Sequence, residues 1–169
     1  MYKLVRIISA LNLTVGWLAA PLSLVITALV LMEVLARYLL NAPTSWSNET
    51  NQYLLCALVM FGGGFTLRRY GHTRVDIFIQ RFTDRTCAWV EVVAGVMVLI
   101  FTCPMLYYGA LLSGEAFLAG QTSVSAAELP LWPSMATVPL GALFLLLQAL
   151  ANTLVAVHFI QTGEKWEAV

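Results

Sequence analysis

Four stretches of this chain, 7–32, 50–67, 92–114 and 129–163, contain no Asp, Glu, Lys or Arg. A bilayer hydrocarbon core about 30 Å thick is crossed by roughly 20 helical residues. The second stretch only just reaches that length, and the other three exceed it. The pattern therefore predicts an all-α integral membrane four-helix protein, with spans at about 13–40, 45–68, 86–112 and 134–161. The loops between them are short, so residues 1–169 read as a single membrane domain.

Polar residues mark the ends of these spans. Pro43 ends the first, because proline disfavours helix in the residue before it. Ser45 or Ser47 is placed to cap the second, with Glu49 in the first turn, where the helix dipole favours an anion. Between spans two and three, Asp76 is placed to cap a short amphipathic helix running to about Thr83, of the kind that lies in the headgroup plane. Gly120, Gln121, Thr122 and Ser123 predict a turn after span three, and Pro130 and Pro133 frame the start of span four. Lys3 and Arg6 ahead of an apolar run resemble a signal peptide. That run continues to Met32, well past a signal-peptide core of roughly 7–15 residues, so an uncleaved first span is expected.

The placement of charge orients the chain. Lys3, Arg6, Arg68, Arg69, Arg74, Arg81, Arg85 and Lys165 fall on one side of the four spans, and Arg37 alone falls on the other. The positive-inside rule then puts both termini in the cytoplasm, N-in and C-in. Tyr38, Trp46, Tyr53, Tyr107, Tyr108 and Trp132 fall near the outer interface, and Tyr2, Tyr70, Trp89 and Trp166 near the inner one, where amphipathic rings settle. The composition agrees, with 60% hydrophobic and 11% charged residues. Net charge is zero, so no basic surface points to nucleic acid. The partners this implies are membrane lipids. Cys56, Cys87 and Cys103 form no C-x-x-C, and a disulfide or metal site is not expected.

Few residues offer chemistry. Glu33 and Arg37, spaced i, i+4, face one side of a helix. The spacing suits a local ion pair with Arg37 reaching the headgroups, a polar contact to another subunit, or a relay. Gly62-Gly63-Gly64 lacks the Lys-Ser or Lys-Thr of a phosphate loop and sits in an apolar span, so it reads as a packing or bending site. Arg68, His72 and Asp76 share a face if the turn is helical, either as a hydrogen-bonded cluster or as a solvated connector facing anionic lipid. No catalytic set, cofactor site or metal site emerges. Apart from the pair near one outer end, the spans are expected to hold nothing polar across the middle.

The stretch Glu33-x3-Arg37-Tyr38-x4-Pro43-x2-Trp46-x2-Glu49, followed by Gly62–Gly64 and Arg68-x3-His72-x2-Val75-Asp76, resembles the DctQ-like small membrane subunit of tripartite ATP-independent periplasmic (TRAP) transporters. Many members show two adjacent acids after the Trp, whereas here Asn48 precedes Glu49. The resemblance implies a non-catalytic subunit in the bacterial cell inner membrane. It would scaffold a large multi-span membrane subunit that carries organic acids with sodium ions, supplied by a periplasmic substrate-binding protein. With the chain ending at Val169, the two membrane subunits are expected to be separate polypeptides. It also makes Glu33, Arg37, Tyr38, Trp46, Glu49, Arg68, His72 and Asp76 candidates for structural or subunit contacts. The competing reading is a self-contained small four-helix exporter acting as a homodimer. Such chains carry an acid inside span one, whereas Glu33 lies near its outer end. Membrane oxidoreductases that pass electrons to quinone use cysteine pairs in outer loops, and no such pair is present.

Overall fold

The computed structural model describes residues 2–70 and 84–163. These form four helices: α1 (Tyr2–Leu39), α2 (Ser47–Tyr70), α3 (Asp84–Leu118) and α4 (Trp132–Thr162). The expected amphipathic helix from Asp76 lies outside the described residues.

The helices run up, down, up, down. In space the order is α1, α2, α4, α3: α1 packs on α2, α2 on α4 and α4 on α3, with a smaller contact between α1 and α4. The fold is thus a layer rather than a closed bundle, with α4 its most buried member. Loops 40–46 and 119–131 lie together at one end, called the loop end below.

Among the described residues, three helices are long and apolar enough to cross a membrane: Val5–Leu39, Arg85–Leu118 and Trp132–Thr162. The expected second span, α2, falls short of that composition. Its first turns hold Ser47, Asn48, Glu49, Thr50, Asn51 and Gln52, and Arg68 and Arg69 stand in its last turns. In a helix of 24 residues these polar ends leave only a short apolar middle. Lying between α1 and α4, α2 leaves less of its surface exposed than either edge helix does.

Helix α1 begins at Tyr2, well ahead of the expected span. Its 38 residues extend about 57 Å at 1.5 Å per residue, far more than a bilayer core, so it tilts or projects. The extra turns are held by packing: Val5 and Ile8 join Ala151, Leu147 and Val155 of α4 in the one cluster of buried apolar residues among those described. At the loop end α1 stops at Leu39, before Pro43. The turn is made at Asn41, which takes a left-handed φ of 50°, a conformation asparagine tolerates.

Lipid tails are as apolar as leucine, so helices in a membrane associate through close packing and hydrogen bonds. Each interface here has a small residue at its contact. A methyl group on Gly141 of α4 would lie 2.7 Å from the Met60 carbonyl of α2, and one on Gly16 of α1 would lie 2.6 Å from Phe65 Cβ of α2. On α3, a methyl at Gly109 would lie 3.2 Å from Pro139 Cδ of α4, so that proline is accommodated inside α4 against a glycine.

Helix α3 ends in a Schellman arrangement: Gly120 has φ 58°, Gln121 N–H donates to Ala116 O at 3.0 Å and Gly120 N–H to Phe117 O at 3.3 Å. The expected turn follows. Ser123 N–H donates to Leu129 O at 2.8 Å and Leu131 N–H to Gln121 O at 3.0 Å, closing a small hairpin-like loop.

Candidate functional site

At the loop end, two carboxylates each tie down a loop. Glu33 sits in the last turns of α1 with its side chain 12% exposed, and Arg37, one turn on, is 53% exposed. Arg37 donates to Glu33 Oε1 at 2.9 Å. The other oxygen, Oε2, accepts from the Thr44 backbone N–H at 3.3 Å and from the Thr44 hydroxyl. One carboxylate therefore joins α1 to the loop that leads into α2. The spacing of Glu33 and Arg37 foretold the pair. Thr44 was not foretold, because no local pattern links residues eleven apart across a turn.

The second carboxylate is Glu49, in the first turn of α2. It accepts from the Ser123 hydroxyl in the loop between α3 and α4. One turn further along α2, the Tyr53 hydroxyl donates to Pro130 O at 3.1 Å, holding the other strand of the same loop. Neither serine expected at the helix start caps it in the usual way. Ser47 Oγ is buried with no hydrogen-bond partner, and the helix opens on its first backbone bond, from Thr50 N–H to Trp46 O at 3.0 Å, with the Thr50 hydroxyl donating to the same oxygen at 2.9 Å.

The structure thus brings Glu33 together with Arg37, and places Trp46 one turn before Glu49. Tyr38 is well exposed. Arg68 lies in the last turns of α2, at the opposite end from Glu49. His72 and Asp76 lie outside the described residues.

A third polar group corrects the expectation of an empty interior. Asn152 of α4 donates through Nδ2 to Leu67 O of α2 at 3.3 Å. Its Oδ1 accepts from Gln148 Nε2 at 2.9 Å, and Gln148 Oε1 accepts from Asn12 Nδ2 of α1 at 3.1 Å. Asn12 Nδ2 donates as well to Ile8 O at 3.2 Å. Three amides therefore bridge α1, α4 and α2 inside the apolar layer, with Asn12 1% and Gln148 0% exposed. A reading built on charge passes over amides. The signal was there in the i, i+4 spacing of Gln148 and Asn152 within an otherwise apolar run. Ser9, one turn before Asn12, is also buried, and its hydroxyl has no partner.

These groups hold helices and loops to one another. Two hollows among the described residues are open grooves on the surface. One of about 460 Å³ is lined by Leu58, Val59, Gly62, Gly63, Thr66, Leu67 and Leu145. The other, of about 570 Å³, lies around Pro104 and is lined by Met97, Ile100, Phe101, Met105 and Tyr108. Among the described residues no group of three His, Cys, Asp or Glu is placed to hold a metal ion. Cys56, Cys87 and Cys103 are free thiols, and Cys56 Sγ lies 3.2 Å from Thr137 Oγ1 of α4.

Comparison with protein families finds a match. The model of the family described as tripartite ATP-independent periplasmic transporters, DctQ component, matches residues 26–158. No curated protein matches the chain.

Proposed function

The chain belongs to the DctQ component family of tripartite ATP-independent periplasmic transporters, and from this we propose that it is a non-catalytic membrane subunit that scaffolds a large transport subunit. In this reading the large subunit carries an organic acid together with sodium ions, and a periplasmic binding protein delivers the solute. The assembly sits in the bacterial inner membrane, with both termini of this chain in the cytoplasm and its loop end in the periplasm. Helix α2 then crosses the bilayer with the other three, screened by α1 and α4.

The observation that carries the reading is the family match over residues 26–158. The site geometry supports it. Transporters set polar groups or broken helices along the solute path. Here Asn12, Gln148 and Asn152 bond to one another and to Leu67 O across helix contacts, which suits a body against which another part moves. The outward faces of α1 and α3 carry large apolar side chains, among them Trp17, Leu24 and Leu31 on α1 and Met97, Ile100 and Phe101 on α3. Such faces suit lipid or another membrane protein.

Expression settles the matter. The chain is produced alone, with a large multi-span partner, and with that partner plus a periplasmic binding protein. Uptake of a panel of labelled carboxylic acids is then measured along with co-purification. Uptake is expected only from the complete set, with the two membrane proteins purifying together. Uptake by this chain alone would refute the scaffold role.

A further inference from the structure

We infer that Gly64 is the terminal donor of the amide chain and, through it, fixes the register at which α1, α2 and α4 pack. Leu67 O can only accept, so Asn152 must turn its nitrogen to it. The polarity of the whole chain follows. Asn152 offers its oxygen to Gln148, Gln148 offers its oxygen to Asn12, and the Asn12 nitrogen is spent on Gln148 Oε1 and Ile8 O. One atom is left over: Asn12 Oδ1 is buried and receives no N–H or O–H.

Gly64 of α2 lies against that oxygen. A methyl group on Gly64 would overlap Asn12 Oδ1, and would sit 3.2 Å from Asn12 Cγ and 3.4 Å from the Phe144 carbonyl carbon of α4. The direction a Cβ would take is the direction of one of glycine's own hydrogens, so a Gly64 Cα–H points at the open oxygen. Such Cα–H···O contacts recur where helices approach closely and act as weak hydrogen bonds. Glycine alone gives both the room and the hydrogen. Its neighbours in the triplet have no such duty: a methyl at Gly62 would meet nothing within 4 Å, and one at Gly63 only Leu145 at 3.7 Å.

The chain favours one register. Sliding α1 by one turn, about 5.4 Å, would set Ile8, Ser9 or Gly16 opposite Gln148. Ile8 and Gly16 carry no side-chain donor and Ser9 only a short hydroxyl, so Gln148 would lose the amide partner that Asn12 supplies in an apolar setting. Greasy surfaces alone do not discriminate between such registers, because lipid competes equally for them.

The test uses the full chain in nanodiscs: wild type, Gly64→Ala, Asn12→Ala and the double variant. Gly64→Ala is expected to lower Tm by roughly 5 °C or more. In the Asn12→Ala background the same change is expected to cost less than half as much, because the oxygen that the methyl meets is gone. Equal losses in both backgrounds, or no loss from Gly64→Ala, overturns the proposal. If Gly64→Ala yields no folded protein, recovery of folded protein on adding Asn12→Ala supports it, and no recovery counts against it. Register is read separately through Thr137→Cys, whose thiol faces Cys56, with Cys87 and Cys103 replaced by alanine. Oxidation should close the Cys56 disulfide well in the Gly64 form and less than half as well with Gly64→Ala. Equal closure overturns the register role.

Discussion

At the scale of single residues, Glu33 and Arg37 are unequal partners. The carboxylate serves three donors, Arg37, the Thr44 N–H and the Thr44 hydroxyl. The guanidinium is half exposed and serves only the carboxylate among the contacts seen. Exposed ion pairs contribute little, whereas a loop amide stripped of its acceptor loses a bond that fixes the backbone. Glu33→Ala should therefore lower the thermal stability of the purified subunit at least twice as far as Arg37→Gln does, and Thr44→Val should fall between them. Equal losses from Glu33→Ala and Arg37→Gln would mean that the ion pair, rather than the loop tie, is the working contact. Scoring Glu33→Gln, Arg37→Gln and the double change for yield of complex with the large subunit separates the roles further. A loss of complex without a loss of subunit stability would assign the pair to the partner. The sequence showed Glu33 with Arg37 because both lie on one helix at helical spacing. It did not show Thr44, Ser123 or Pro130, whose contacts join segments brought together only by the folded layer.

Helices were more legible than their contacts. Charge-free runs located all four, because a charge is costly in an apolar medium and is therefore rare along a helix that crosses one. Their ends were less legible. The start of α1 at Tyr2 depends on Val5 and Ile8 meeting α4, and a composition window cannot register such a meeting. Glycines show the same limit: the sequence presents them alike, and only packing separates them. Gly141→Ala would press a methyl to 2.5 Å from Met60 Cβ and 2.7 Å from its carbonyl, and overpacking of this kind costs about 1–3 kcal/mol. Gly62→Ala meets nothing and should stabilise α2 by about 0.5–1 kcal/mol, the usual helical advantage of alanine over glycine. Thermal unfolding of the two variants beside wild type measures both signs. A destabilised Gly62→Ala in the isolated subunit would contradict the open groove at that position.

For the molecule as a whole, the argument turns on which end faces which compartment. Eight of the nine basic residues lie on the side of the termini and the connection between α2 and α3, and Arg37 alone lies at the loop end. That bias is the ground for the proposal that the loop end faces outside. The geometry gives the bias a consequence. Both loops at that end are held by carboxylates of neighbouring helices, Glu33 for one and Glu49 for the other, so the proposed periplasmic surface is set by side-chain ties as well as by helix packing. Val124 stands fully exposed at the tip of the longer loop and offers a reporter for it. In a chain with its three cysteines replaced by serine, Val124→Cys should react with a membrane-impermeant maleimide in intact cells. Lys3→Cys should react only after the cells are opened. The reverse pattern would invert the orientation, and with it the face offered to a periplasmic binding protein. Labelling at both positions in intact cells would show that the chain inserts in two orientations, which a subunit scaffolding one partner from one side cannot do.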